Sequence, residues 1–392
     1  MDIRETFKEI KAAMEESPAA GAAKVQELLE KQDNIPLNIG VTGETGAGKS
    51  TFINAFRGLK NTDEGAAPVD CTETTMEVQQ YPHPNYPNVI LWDMPGIGSM
   101  TFQANEYLKK VNFEIFDFFV IISADRFREH DMKLALEIQK MNKKFYFVRS
   151  KIDHSLRDAR DDEKDFNKQR TLSKIRENCV QNLQKLGFQA PQVFLVSSRR
   201  LHLHDFSLLH ETLERELPAH KRDALLHAMP IVNAEILKKK EDAFHSKIKW
   251  WATLSGSVGL IPVPGVSMAV DIGLLVGVVK KYQVGLRLDK KSLENLSHTT
   301  GVPLSELQAV MKSPLGGQKI TGPLLVRLLS MGAVQVTLIA VEEGLRFLPV
   351  IGFLGAIVSF VSTYQALKFF LNMLAEDAQN VFRRALGLNT SV

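Results

Sequence analysis

The chain has 392 residues, 44% hydrophobic and 24% charged, which fits a folded protein with room for two domains and excludes a disordered polymer. A formal charge of +3 is slight for this length and argues against a dedicated nucleic-acid binder. Two cysteines, Cys71 and Cys179, make no disulfide framework and fit a reducing compartment.

In chain order, Ile3, Phe7, Ile10, Met14, Val25, Leu28 and Leu29 stand at helical spacings and predict an amphipathic helix over residues 2–30, interrupted by "ESPAAG". The first residues are charged from Asp2, with neither an apolar signal core nor the glycine that N-myristoylation requires, so the expected setting is cytoplasmic. "IPLNIGVTG" then reads as a buried strand with a glycine stop. "NVILWDM", "FFVIIS", "KFYFVRSK" and "QVFLVSS" follow, each separated from the next by helical sequence. That rhythm predicts an α/β, doubly wound sheet with ligand loops at the C-terminal ends of its strands. After Pro218 the rhythm stops and the remaining sequence reads as all-α. The expected division is an N-terminal helical segment over 1–33, an α/β domain over 34–222 and a helical domain over 223–392. Residues 252–286 and 320–374 are long apolar stretches, where about 20 residues suffice to span a bilayer. Pro262, Pro264 and Asp271 argue against a span in the first of them. Residues 345–372 read either as core helix or as membrane-binding surface.

"GETGAGKS", Gly43–Ser50, fits the phosphate-binding pattern G-x-x-x-x-G-K-[ST], with a strand before it and a helix after it. Gly43, Gly46 and Gly48 allow the tight turn. The backbone of Glu44, Thr45, Ala47 and their neighbours through Thr51 can then point N–H groups at phosphate oxygens. Lys49 is expected at the β- and γ-phosphates and Ser50 at Mg²⁺. Asp93 and Gly96 form a DxxG, with Asp93 reaching the ion through its bound water and Gly96 sensing the γ-phosphate. The residue after this motif is Ile97, which cannot orient water as a glutamine does.

"RSKID" supplies a base reader: Asp153 can accept from guanine N1 and N2 while the Lys151 stem covers the purine face, which selects GTP over ATP. Ser150 stands where asparagine or threonine is usual. "FLVSS" adds Ser197 and Ser198 near the guanine O6. In the loop between the phosphate motif and DxxG, Thr72, Thr74 and Thr75 are candidates for Mg²⁺ and γ-phosphate contact. Glu73 is either a carboxylate that positions water or a surface acid.

Together "GETGAGKSTFINAFRGL", "TETT", "DMPGIG" and "SKID", followed by a helical half, resemble the immunity-related GTPases, an interferon-inducible group within the dynamin-like class. The resemblance spans essentially the whole chain, and Lys49 is similar to the GKS subgroup. It implies a Ras-like P-loop domain and a helical domain built from both chain ends. It also implies GTP hydrolysis to GDP, activated when G domains pair, and a role in cell-autonomous immunity at pathogen-vacuole membranes. On that pattern Glu73, with Lys49 and Thr75, is catalytic, and Glu44, Arg126, Arg128 and Asp131 match positions on the paired face. Association with intracellular membranes would be peripheral.

Other features read as structure. His202, His204, His210, His220 and His227 lack metal-ligand spacing and are expected on the surface or in helix packing. "LKKKEDAF" is expected as a solvated helix face, and Trp250 and Trp251 as core. The rival to an enzyme is a GTP-dependent switch or scaffold with negligible hydrolysis, a reading that Ile97 favours.

Overall fold

The computed structural model describes residues 35–69, 78–94, 113–124, 129–258, 266–331 and 352–387, with parts of 8–28. Two compact units divide the chain: Ile35–Asn233, and Met1–Asn34 together with Ala234–Val392.

The first unit is a six-stranded sheet in the order β2-β3-β1-β4-β5-β6. The strands are β1 (Leu37–Gly43), β2 (Gln79–His83), β3 (Tyr86–Asp93), β4 (Phe118–Ser123), β5 (Phe145–Arg149) and β6 (Val193–Leu195). All neighbours are parallel except β2, which runs antiparallel to β3. Five strands coincide with the apolar runs of the sequence. The sixth, β2 ("QQYPH"), has no such run. It is an exposed edge, where Pro82 is tolerated, and its register with β3 shifts between Pro82 and His83. From β1 the chain builds the sheet first to one side and then to the other. The strand order therefore reverses at β1, and a crevice is expected outside the C-terminal ends of β1, β3 and β4.

Every residue of β4 is buried, as a strand covered on both faces requires. On one face Phe119, Ile121, Phe147 and Leu195 pack with Leu134 and Ile138 of α2 (Glu129–Lys140), Leu156 of α3 (Ile152–Asp162) and Leu183 of α4 (Lys168–Lys185). Facing the other way, Phe118 meets Tyr146 at 5.5 Å between ring centres. Phe52 of α1 (Lys49–Phe56) meets Phe206 of α5 (Phe206–Glu216) at 6.3 Å. Helix α6 (Ala219–Ala228) packs on β3 and β1, with the Tyr86 and His227 rings stacked at 6.0 Å. This packing carries the unit past the change of sequence character at Pro218, as far as Asn233.

In the second unit, α7 (Ala234–Val258), α8 (Val266–Gly285) and α12 (Gly352–Ala385) pack on one another, with α9 (Lys290–Thr300), α10 (Leu304–Ala309) and α11 (Gly322–Met331) around them. Phe244, Trp251 and Tyr282 form the aromatic core, with ring centres 5.0 and 5.7 Å from Tyr282. Asp271, the charge inside an apolar run, accepts from the Ser255 hydroxyl at 2.6 Å, and Ser255 lies 2.7 Å from Thr363, so all three long helices share one polar contact. From Val361 onward α12 is amphipathic: Leu367, Phe370, Leu371 and Leu374 are buried, and Gln365, Lys368, Asn372 and Glu376 are exposed. Among the described residues no helix is long and apolar enough to cross a membrane. Residues 345–351 lie outside the described part.

One expectation for this unit needs correction. In "LKKKEDAF", Lys238 and Lys239 make ion pairs with helix neighbours, but Lys240 is fully buried and donates to the Gly285 carbonyl at 3.3 Å. That carbonyl belongs to the last turn of α8, where no helical N–H is available to it. Burial holds the Lys240 pKa well below the usual lysine range.

Candidate functional site

Strand β1 ends at Gly43, whose φ of +139° is open to glycine. A Cβ there would lie 2.0 Å from the Ile122 carbonyl oxygen of β4, so the loop leaves the sheet in close contact with its neighbour. Gly43→Ala is accordingly expected to cost about 3 kcal/mol of stability, because β1 and β4 must separate to admit the methyl group. Thermal denaturation of the ligand-free protein measures it.

Gly46 and Gly48 take φ of +78° and +92°, and Gly48 is the residue before α1. No side chain caps the start of α1, and its first turn carries no acidic residue. Its leading N–H groups and the positive end of its dipole therefore suit an anion. Lys49 is only 7% exposed, and its ammonium donates to the Gly43 and Glu44 carbonyls at 3.2 Å each, held across the loop rather than in solvent. One residue further, the Ser50 hydroxyl donates to Asp93 Oδ2 at 2.9 Å. Val41 pairs in register with Asp93, so the sheet itself brings this carboxylate beside the loop. A hydroxyl and a carboxylate so placed are hard oxygen donors of the kind that Mg²⁺ takes.

The second cluster sits at the ends of β5 and β6. Lys151 adopts the left-handed conformation (φ +53°) immediately before α3, which puts Asp153 in the first turn of that helix. A Cβ on Gly48 would fall 3.9 Å from Lys151 Cε, so the Lys151 stem lies along the phosphate-loop backbone. Ser150, buried, donates to the Ala47 carbonyl at 2.6 Å and thereby ties β5 to that loop. Sequence reasoning missed this tie. The available signal was a small hydroxyl residue just before Lys151 at a strand end. The β6 end joins through backbone: Val196 N–H donates to Arg149 O at 2.8 Å, and Ile152 N–H to Val196 O at 3.4 Å. Ser197 follows with its hydroxyl fully buried and without a partner among the described residues, while Ser198 is half-buried. An orphaned buried hydroxyl that follows β6, on the strand next to the one leading to Lys151 and Asp153, suits a polar heterocycle with donors and acceptors on its edge.

The structure thus places Gly43–Thr51, Asp93, Lys151, Asp153, Ser197 and Ser198 at the C-terminal ends of β1, β3, β5 and β6. Thr72, Glu73, Thr74, Thr75, Gly96, Arg126 and Arg128 lie outside the described residues, as do Cys71 and the side chain of Asp131. Among the histidines, His210 and His227 are buried in packing, His202 is exposed and His204 half-buried. No group of three or more His, Cys, Asp or Glu side chains that could hold a metal ion occurs among the described residues. Burial, and then Lys168, lowers the His204 pKa.

The family model for the interferon-inducible GTPases (IIGP) matches residues 3–385. The chain is 40% identical to bovine (Bos taurus) interferon-inducible GTPase 5 over 389 residues, 98% of this chain and 83% of that protein. Over 394 residues it is 36% identical to mouse (Mus musculus) interferon-gamma-inducible GTPase 10, covering 99% of this chain and 91% of that one. Mouse interferon-inducible GTPase 1 is 35% identical over 361 residues, 92% and 85% of the two chains. Because the match takes in both compact units as well as the phosphate loop, the chain belongs to the interferon-inducible GTPase family.

Proposed function

We propose that this chain binds Mg²⁺–GTP at the crevice of its α/β unit and hydrolyses it to GDP when two such units pair. Family membership makes it a GTPase. The observation that carries the site is the pairing of a buried, loop-held Lys49 with Ser50 and Asp93 at the head of an uncapped helix. In this reading the backbone of Gly43–Thr51 wraps the phosphates and Lys49 bridges the β- and γ-oxygens. Ser50, Thr75 and, through a water, Asp93 would hold the metal, and Gly96 would sense the γ-phosphate. Mg²⁺, when bound, neutralises charge on the phosphate oxygens. Lys151 covers the purine, Asp153 accepts from its N1 and N2, and Ser197 and Ser198 attend O6. These assignments also support GTP over ATP, since adenine has no such donor pair.

Ile97 takes the place of a water-orienting glutamine, so the water must be positioned from elsewhere. Glu73 is the proposed group, acting directly or through the γ-phosphate oxygens. Glu44, Arg126, Arg128 and Asp131 are proposed for the paired face. The cellular role proposed is cell-autonomous immunity, with the protein cytoplasmic and peripherally attached to intracellular or pathogen-vacuole membranes.

GTP turnover per molecule, followed over a wide range of protein concentration, tests this. Specific activity should climb steeply with concentration. Glu73→Ala should reduce turnover roughly 100-fold or more while leaving nucleotide affinity within about twofold. Flat, measurable activity would mean that each monomer carries a complete site. Binding with near-zero turnover at every concentration would leave the switch or scaffold reading, which Ile97 favours.

A further inference from the structure

Strand β6 is three residues long and forms an edge of the sheet, yet it carries the segment read above as attending guanine O6. An edge strand leaves one row of N–H and C=O groups without a strand partner. Here two residues, Asp205 through its carboxylate and its own N–H and Arg176 through its guanidinium, bond groups of that row. Asp205 Oδ2 accepts from Leu195 N–H at 2.8 Å, and the Asp205 N–H donates to Leu195 O at 2.9 Å. Arg176 of α4 donates to Val193 O at 2.7 Å and to the same Asp205 Oδ2 at 2.7 Å. Arg176 and Asp205 therefore stand where a seventh strand would.

The consequence falls on Ser197. The backbone of Leu195 is pinned at both its polar atoms by Asp205, and Val196 is bonded to Arg149 and Ile152. Val196 also bridges to His204, which holds the left-handed conformation at φ +66°. For a residue with a side chain, that conformation costs about 1 kcal/mol and persists only where its surroundings enforce it. The loop from 196 to 204 is thus closed at its stem, and Ser197, its first buried hydroxyl, is two residues from the clamp.

We propose that Arg176 and Asp205 are positioning residues for guanine recognition, acting through the Leu195–Val196 backbone on Ser197. The proposal rests on the guanine-nucleotide reading of the site. Neither residue touches nucleotide in this account, so their effect is on base discrimination rather than on the phosphates.

The experiment measures binding of GDP and of 6-thio-GDP, whose sulfur replaces the O6 acceptor, to the full chain and to Asp205→Asn and Arg176→Met. Asp205→Asn is expected to weaken GDP binding about tenfold. It should also shrink the preference for GDP over 6-thio-GDP several-fold. Arg176→Met, a partly exposed site that should fold even if the other variant does not, is expected to move both quantities in the same direction. Proportional loss of both ligands, or unchanged preference with only a lower melting temperature, would make the clamp merely structural and overturn the proposal. No GDP binding by the wild-type chain would overturn the nucleotide reading and the proposal with it.

Discussion

Lys49→Ala should weaken GTP binding roughly 100-fold, because the ammonium makes charge-assisted hydrogen bonds worth about 1.5–3 kcal/mol, and each 1.4 kcal/mol is about tenfold in affinity. Hydrolysis should fall further than binding, since Lys49 faces the oxygens on which charge changes most as the γ-phosphoryl group transfers. The ligand-free protein should not be destabilised in proportion. Lys49 is 7% exposed and donates to two backbone carbonyls at 3.2 Å, so removing it also removes a charge whose burial is itself costly. Titration with a fluorescent GTP analogue, alongside thermal denaturation without nucleotide, separates the two effects. GTP affinity within threefold of wild type would sink the assignment of Lys49 to the phosphates.

Asp153→Asn should exchange guanine for xanthine preference. A carboxylate accepts from both N1–H and the 2-amino group, whereas an amide offers one acceptor and one donor. Two charge-assisted hydrogen bonds are thereby weakened or lost, and GTP affinity should fall roughly 100-fold or more. XTP carries a carbonyl where guanine has its amino group, so the new amide donor finds a partner and XTP should become the better ligand. Asp153 lies in the first turn of α3 with its side chain 28% exposed, and the substitution retains its shape, so folding should be preserved. Competition of GTP and XTP for one fluorescent nucleotide reads the ratio directly. An unchanged preference for GTP would mean that Asp153 does not read the base.

Strand–helix alternation and the Gly43–Ser50 loop were legible in the sequence because both are local. A run such as "FFVIIS" has to be buried on two faces whatever lies beside it, and it does become β4. A glycine at 43, 46 or 48 permits backbone angles that other residues resist, and all three take positive φ. Strand β2 was not legible, since at a sheet edge the pairing comes from β3 rather than from an apolar pattern of its own. Lys240 deceived for a similar reason. Its place in a charged run says solvent, and only the packing of α7 against α8 puts a helix-terminal carbonyl within its reach.

The class of fold and the family follow from hydrophobic period, glycine backbone freedom and motif order, all of which are properties of neighbouring residues. Tertiary structure decided which distant groups meet. Ser150 finds the Ala47 carbonyl, Ser50 finds Asp93, and Asp205 with Arg176 finishes the edge of β6. Each contact depends on strand register and on the closure of long loops. A shift of one residue in either would turn the side chain to the other face or out of reach, and no local pattern encodes that constraint.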